Sequence, residues 1–112
     1  MTTKTEQIID WDLGAQLAGG DKDFARHLMN MLIEALPSHQ AEIADALKAK
    51  DFEALRMATH KLVGASCYTG TPALNTASRA LEQAAKEQDT DAVKTAHQEL
   101  NEVIAKMRRV LS

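Results

Sequence analysis

Gly70-Thr71-Pro72 is a helix stop and a helix start compressed into three residues. Glycine closes a helix in the left-handed conformation without a Cβ penalty. Threonine is an N-cap residue, and proline at the first helical position sacrifices only an N–H that has no intrahelical partner. A connection this short makes the flanking helices antiparallel neighbours. Similar punctuation recurs along the chain. Gly19-Gly20 ends an entry segment and short first helix holding Ile8, Ile9, Trp11, Leu13 and Leu17. Asp21 then caps a long helix with Phe24, Leu28, Met31, Leu32, Ala35 and Leu36 at helical spacing, continued by Ile43 and Leu47. Pro37 predicts a kink or a restart within it. Asp51 reads as the cap of a helix running through His60 to about Thr69. Leu74, Ala77, Leu81 and Ala84 or Ala85 mark the next helix. After a turn at Gln88-Asp89-Thr90, the last carries Val93, Ala96, Leu100, Val103, Met107 and Val110.

The expected fold is therefore all-α: one domain over residues 1–112, an antiparallel up-and-down four-helix bundle with a short N-terminal helix. Two prolines and five glycines leave little room for a turn-rich β fold, and few aromatics leave the core to Leu, Ile, Val, Met and Ala. Met29, Met31, Met57 and Met107 read as gap fillers in or near that core. A net charge of -3 with interleaved signs argues against a nucleic-acid partner. The one basic cluster, Lys106, Arg108 and Arg109, suits a helix C-terminus. The single cysteine, Cys67, excludes an internal disulfide and fits a reducing compartment. Met1–Glu6 carries no apolar leader, and no segment reaches membrane-spanning length. A cytoplasmic domain without direct membrane contact is expected, monomeric, and either free-standing or the cytoplasmic end of a membrane-bound parent.

Leu55 and Leu62, seven residues apart, set the core stripe of their helix, together with Thr59, Ser66 and Thr69. His60 falls away from that stripe, on a face shared with Arg56, Val63, Gly64 and Cys67. An exposed face rich in small and apolar residues is unusual, and a mid-helix glycine costs about 1 kcal/mol relative to alanine. Gly64 therefore provides either clearance beside the imidazole or close helix packing. A free imidazole titrates near pH 6.5, so the neutral, nucleophilic ring is abundant at physiological pH. One nitrogen attacks while the other donates to a group that fixes the ring. Glu82, on the adjacent antiparallel helix, is the natural partner, with Arg79 on the same face. Phosphoryl transfer also requires positive charge near the phosphoryl oxygens. Arg56 and Lys61 are the cations nearest in sequence. No glycine-rich phosphate loop is present, so a phosphoryl group must come from another domain.

The pattern His60, Leu62, Gly64, Gly70, Leu74, Leu81-Glu82 resembles that of histidine-containing phosphotransfer (HPt) domains. The run Ala65-Ser66-Cys67-Tyr68-Thr69-Gly70-Thr71-Pro72 is most similar to the C-terminal HPt module of BarA/GacS-type hybrid sensor histidine kinases. The resemblance covers nearly the whole chain. It implies a phosphorelay carrier without a nucleotide site of its own and without cofactor or metal. His60 would accept a phosphoryl group from one receiver-domain aspartate and pass it to another, with Glu82 orienting the ring. Many members carry lysine directly before the glycine. Here that position is Val63, which leaves Lys61, Arg56 or Arg79 to neutralise the phosphate.

A different class of function is an adaptor bundle that binds its partner through Val63, Gly64 and Cys67 without phosphate. His27, His39 and His97 lack metal-pair spacing and read as surface or boundary residues, Cys67 as a small apolar contact. Tyr68 and Thr69 are expected to pack the helix end.

Overall fold

The computed structural model describes residues 8–111. Met1–Glu6, expected to hold no apolar leader, lies outside the described residues. Five helices follow in order: α1 (Trp11–Leu17), α2 (Lys22–Lys48), α3 (Phe52–Ser66), α4 (Pro72–Glu87) and α5 (Thr90–Leu111). Among the described residues there is no strand, and no helix is long and apolar enough to cross a membrane.

Aspartates start four of the five helices. Asp10, Asp21 and Asp51 each accept a hydrogen bond at 3.0 Å, from the amides of Leu13, Phe24 and Ala54. Asp89 accepts one from Ala92 at 3.1 Å. Each carboxylate satisfies an amide that has no partner within its helix, and each opposes the positive end of the helix dipole. α4 begins differently. Pro72 is its first residue and Thr71 its N-cap, but the Thr71 hydroxyl makes no capping bond. It is buried, 2.9 Å from the Thr69 hydroxyl, and donates to the Ser66 carbonyl at 3.4 Å. The hydroxyl thus ties the α3–α4 turn together.

α3 packs between α2 and α4, and α4 between α3 and α5. Arg108 of α5 donates to Gln40 of α2 at 3.0 Å, closing the ring of four long helices. They share one core that includes Leu36, Ile43, Leu55, Leu62, Leu81, Leu100 and Ile104. This is the expected antiparallel four-helix bundle. α3 ends at Ser66, three residues before the expected Thr69. α2 does not restart at Pro37 but runs through it as one helix, its two halves held by Leu32 and Leu36 before the proline and Ile43 and Ala46 after it.

The buried phase of α2 differs from the expected one. Ala25, Met29, Leu32, Leu36 and Ile43 are buried, whereas Phe24 and Met31 are exposed. Among the methionines, Met29 and Met107 fill the core, while Met31 and Met57 lie in solvent. On α5 the core position falls to Ile104 rather than Val110, which is exposed. Tyr68 is likewise exposed and only Thr69 packs the end of α3.

α1 closes one end of the bundle by backbone contact. The Asp10 amide donates to the Gly70 carbonyl at 2.8 Å. Gly70 has φ +63°, the expected left-handed conformation, and a Cβ there would lie 2.7 Å from the Gly14 nitrogen and 2.8 Å from its Cα. Glycine is needed at position 70 both for its φ and for the room.

Candidate functional site

The buried arc of α3 determines what His60 can do. Leu55, Ala58, Thr59, Leu62, Val63 and Ser66 are buried. At about 100° per residue this arc extends to Val63, roughly 80° from Leu55, and His60 lies just past its edge. The ring emerges on the flank of α3 that faces α4. Its side chain is 70% exposed, and Nδ1 lies 2.8 Å from Oε2 of Glu82, a carboxylate only 13% exposed. A carboxylate oxygen accepts, so the shared hydrogen belongs to Nδ1 and the lone pair of Nε2 is left toward solvent.

Val63 requires a correction. It is buried, at 7% exposure, and is not part of an outward face. The arc is wider than Leu55 and Leu62 alone suggest because α3 is covered from both sides, by α2 and by α4. Gly64 is exposed, and a Cβ built on it would meet nothing within 4 Å. Close helix packing therefore does not account for this glycine. Cys67 is half-buried, with its sulfur 3.6 Å from the Asn75 amide nitrogen.

Asn75 was not among the candidate residues. It bonds the Ser66 hydroxyl at 2.9 Å and accepts from Nε of Arg79 at 2.8 Å. Its signal was its place on one α4 face with Arg79 and Glu82, at i, i+4 and i+7. The Ser66–Asn75 and His60–Glu82 contacts fix the antiparallel register of α3 and α4. Near this face, Leu13 and Leu17 of α1 join Cys67, Pro72 and Asn75 around a shallow groove of about 290 Å³.

The three candidate cations part company. Lys61 points to the α2 flank, away from the imidazole, and pairs with Glu42 at 3.1 Å. Arg79 is turned toward Asn75. Arg56, one turn before His60 on the same flank, is chelated by Glu53: Nη2 to Oε2 at 2.6 Å and Nε to Oε1 at 3.1 Å. That pairing raises the Arg56 pKa and lowers that of Glu53. The remaining histidines are elsewhere: His27 stacks on Phe24, His97 lies 3.3 Å from Asn101, and His39 is half-buried. Among the described residues no cluster of His, Cys, Asp or Glu is placed to hold a metal ion.

The class of protein is that of helical bundles presenting a carboxylate-braced imidazole to solvent. The sequence pattern of the Hpt domain matches residues 27–110, and the chain belongs to that family. It is 35% identical over 101 residues to the sensor histidine kinase GacS of Pseudomonas protegens, covering 90% of this chain and 11% of the kinase. It is 24% identical over 103 residues to the phosphorelay intermediate protein rdeA of Dictyostelium discoideum, covering 92% of this chain and 41% of that protein. The chain thus spans about a tenth of the first relative. The crystal structure of the HPT domain from a Shewanella Hpt sensor hybrid histidine kinase superposes with TM-score 0.74 at 29% identity, covering 93% of each chain.

Proposed function

We propose that this domain carries a phosphoryl group on Nε2 of His60 in a multistep two-component phosphorelay. An aspartyl phosphate of one receiver domain is the donor, and a response-regulator aspartate is the acceptor. The observation that supports this most directly is the 2.8 Å contact between Nδ1 and Glu82 on a ring otherwise in solvent. In the forward step the Nε2 lone pair forms the N–P bond while the aspartyl O–P bond breaks, and its electron pair stays on the donor carboxylate. Nδ1 keeps its hydrogen, so the phosphorylated ring is cationic and Glu82 offsets that charge. No nucleotide enters this step; family members act as carriers between receivers and not as kinases. The receivers dock over Gly64 and Cys67, where the missing Cβ admits the phosphorylated aspartate to the ring. The domain works as a monomer in the cytoplasm, as part of a sensor histidine kinase like the longer relatives.

The test is incubation with a receiver domain charged by a radiolabelled phosphodonor. Acid-labile, base-stable label on the wild type, absent from His60→Gln at unchanged helicity, is the expected result. Label that persists in His60→Gln overturns the assignment. Receiver binding with no transfer, indifferent to His60→Gln, identifies an adaptor instead.

A further inference from the structure

With Val63 buried, no residue at the position before Gly64 neutralises a phosphoryl group on His60. We propose that Arg56 does so as a cation with two positions: chelated by Glu53 while His60 is unmodified, and moved to the phosphoryl oxygens once His60 carries the group. This inference rests on the phosphocarrier reading and assigns a residue within it.

Placement carries the argument. Residues i and i+4 on a helix stand about 5–6 Å apart at Cβ, and helical side chains lean over the turn N-terminal to them, which sets the His60 ring over the Arg56 turn. Arg56 shares with His60 the flank of α3 that faces α4, whereas Lys61 is held by Glu42 on the opposite flank. Arg79 is bonded to Asn75, which places it toward the start of α4 and away from Glu82. Pairing with Glu53 dominates the raised Arg56 pKa, and Glu82, the carboxylate that braces the ring, adds a smaller contribution of the same sign.

The Glu53 chelate is exposed: the carboxylate side chain is 66% and the arginine 32% open to solvent. Exposed pairs hold weakly and are screened by salt. A phosphoryl group brings a charge of about −2 and three acceptor oxygens, and a guanidinium fork suits it. Glu53 is then a holding residue: it keeps the guanidinium one turn from the ring and releases it when the stronger anion arrives.

Phosphorylation with potassium phosphoramidate and a 31P titration test this without any partner protein. The resonance to follow is the one that His60→Gln removes. Arg56→Gln is expected to raise the midpoint of the phosphoryl titration by about half a pH unit, with Arg56→Lys restoring part of the shift. Glu53→Gln, which frees the guanidinium, is expected to lower it. Equal midpoints in all four proteins overturn the proposal. Failure of the phosphocarrier reading looks different: a charged receiver leaves the wild type unlabelled, whatever the titrations give.

Discussion

Nδ1 of His60 and Oε2 of Glu82 meet at 2.8 Å across the α3–α4 contact, the ring open to solvent and the carboxylate largely covered. The bundle thus grips the imidazole at Nδ1 and leaves the rest of the ring to solvent. The grip comes from a different helix, so the correct packing of α3 against α4 is itself a condition for orienting the ring.

Glu82→Ala is expected to slow phosphotransfer by about three- to tenfold, the worth of one modest hydrogen bond, with circular dichroism unchanged. In 15N spectra the share of the Nδ1–H tautomer of His60 falls. An unchanged rate removes Glu82 from the site.

Gly64 separates stability from access. Since a Cβ there meets nothing, Gly64→Ala is expected to stabilise the fold by about 0.5–1 kcal/mol in urea unfolding. Gly64→Gln keeps the fold but lowers the transfer rate by at least about tenfold, its longer side chain standing in the approach to His60. Transfer at the wild-type rate in the glutamine variant excludes the clearance role.

Gly70 behaves in the opposite sense. Its φ of +63° and the backbone of Gly14 at 2.7 Å leave no place for a methyl group. Gly70→Ala is expected to cost about 2–4 kcal/mol, from left-handed strain plus the displacement of α1. A shift in the urea midpoint checks it; a loss below about 0.5 kcal/mol shows that α1 relaxes freely.

Stability is expected to fall on acidification. Burial holds His39 and His97 below the ordinary imidazole value of 6.5; at His39, Glu42 opposes this and Lys61 adds to it. Nδ1 of His39 is buried without a hydrogen-bond partner among the described residues. Between the lowered folded values and 6.5 the unfolded chain binds more protons, so this stabilisation is complete above 6.5 and is lost as the pH falls through that window. Urea unfolding at about pH 7.5 and 5.5 measures the loss. The His39→Gln/His97→Gln double variant is expected to show a smaller one, and an equal loss rejects these two groups as its source.

Helix order was legible because capping residues and Gly70-Thr71-Pro72 act locally, and local chemistry is written in adjacent letters. His60 with Glu82 was legible too, once short connections made α3 and α4 antiparallel neighbours. Val63 reads outward in the sequence for a tertiary reason: one apolar stripe marks the centre of a buried arc, not its width, and α4 widens it. Phe24 and Met31 misled in a similar way, since large apolar residues at helical spacing suggest a core that Ala25 and Met29 in fact occupy. The commitments of Lys61 to Glu42 and of Asn75 to Ser66 join different helices, and no spacing rule reports them.

The notch at Gly64 is an absence that nothing else in the fold defends. A good helix former placed there is free to make the protein hardier, so a library screened for thermal endurance alone would tend to close the opening. On the proposed docking of receivers over Gly64, engineering for robustness and engineering for signalling pull one residue in opposite directions.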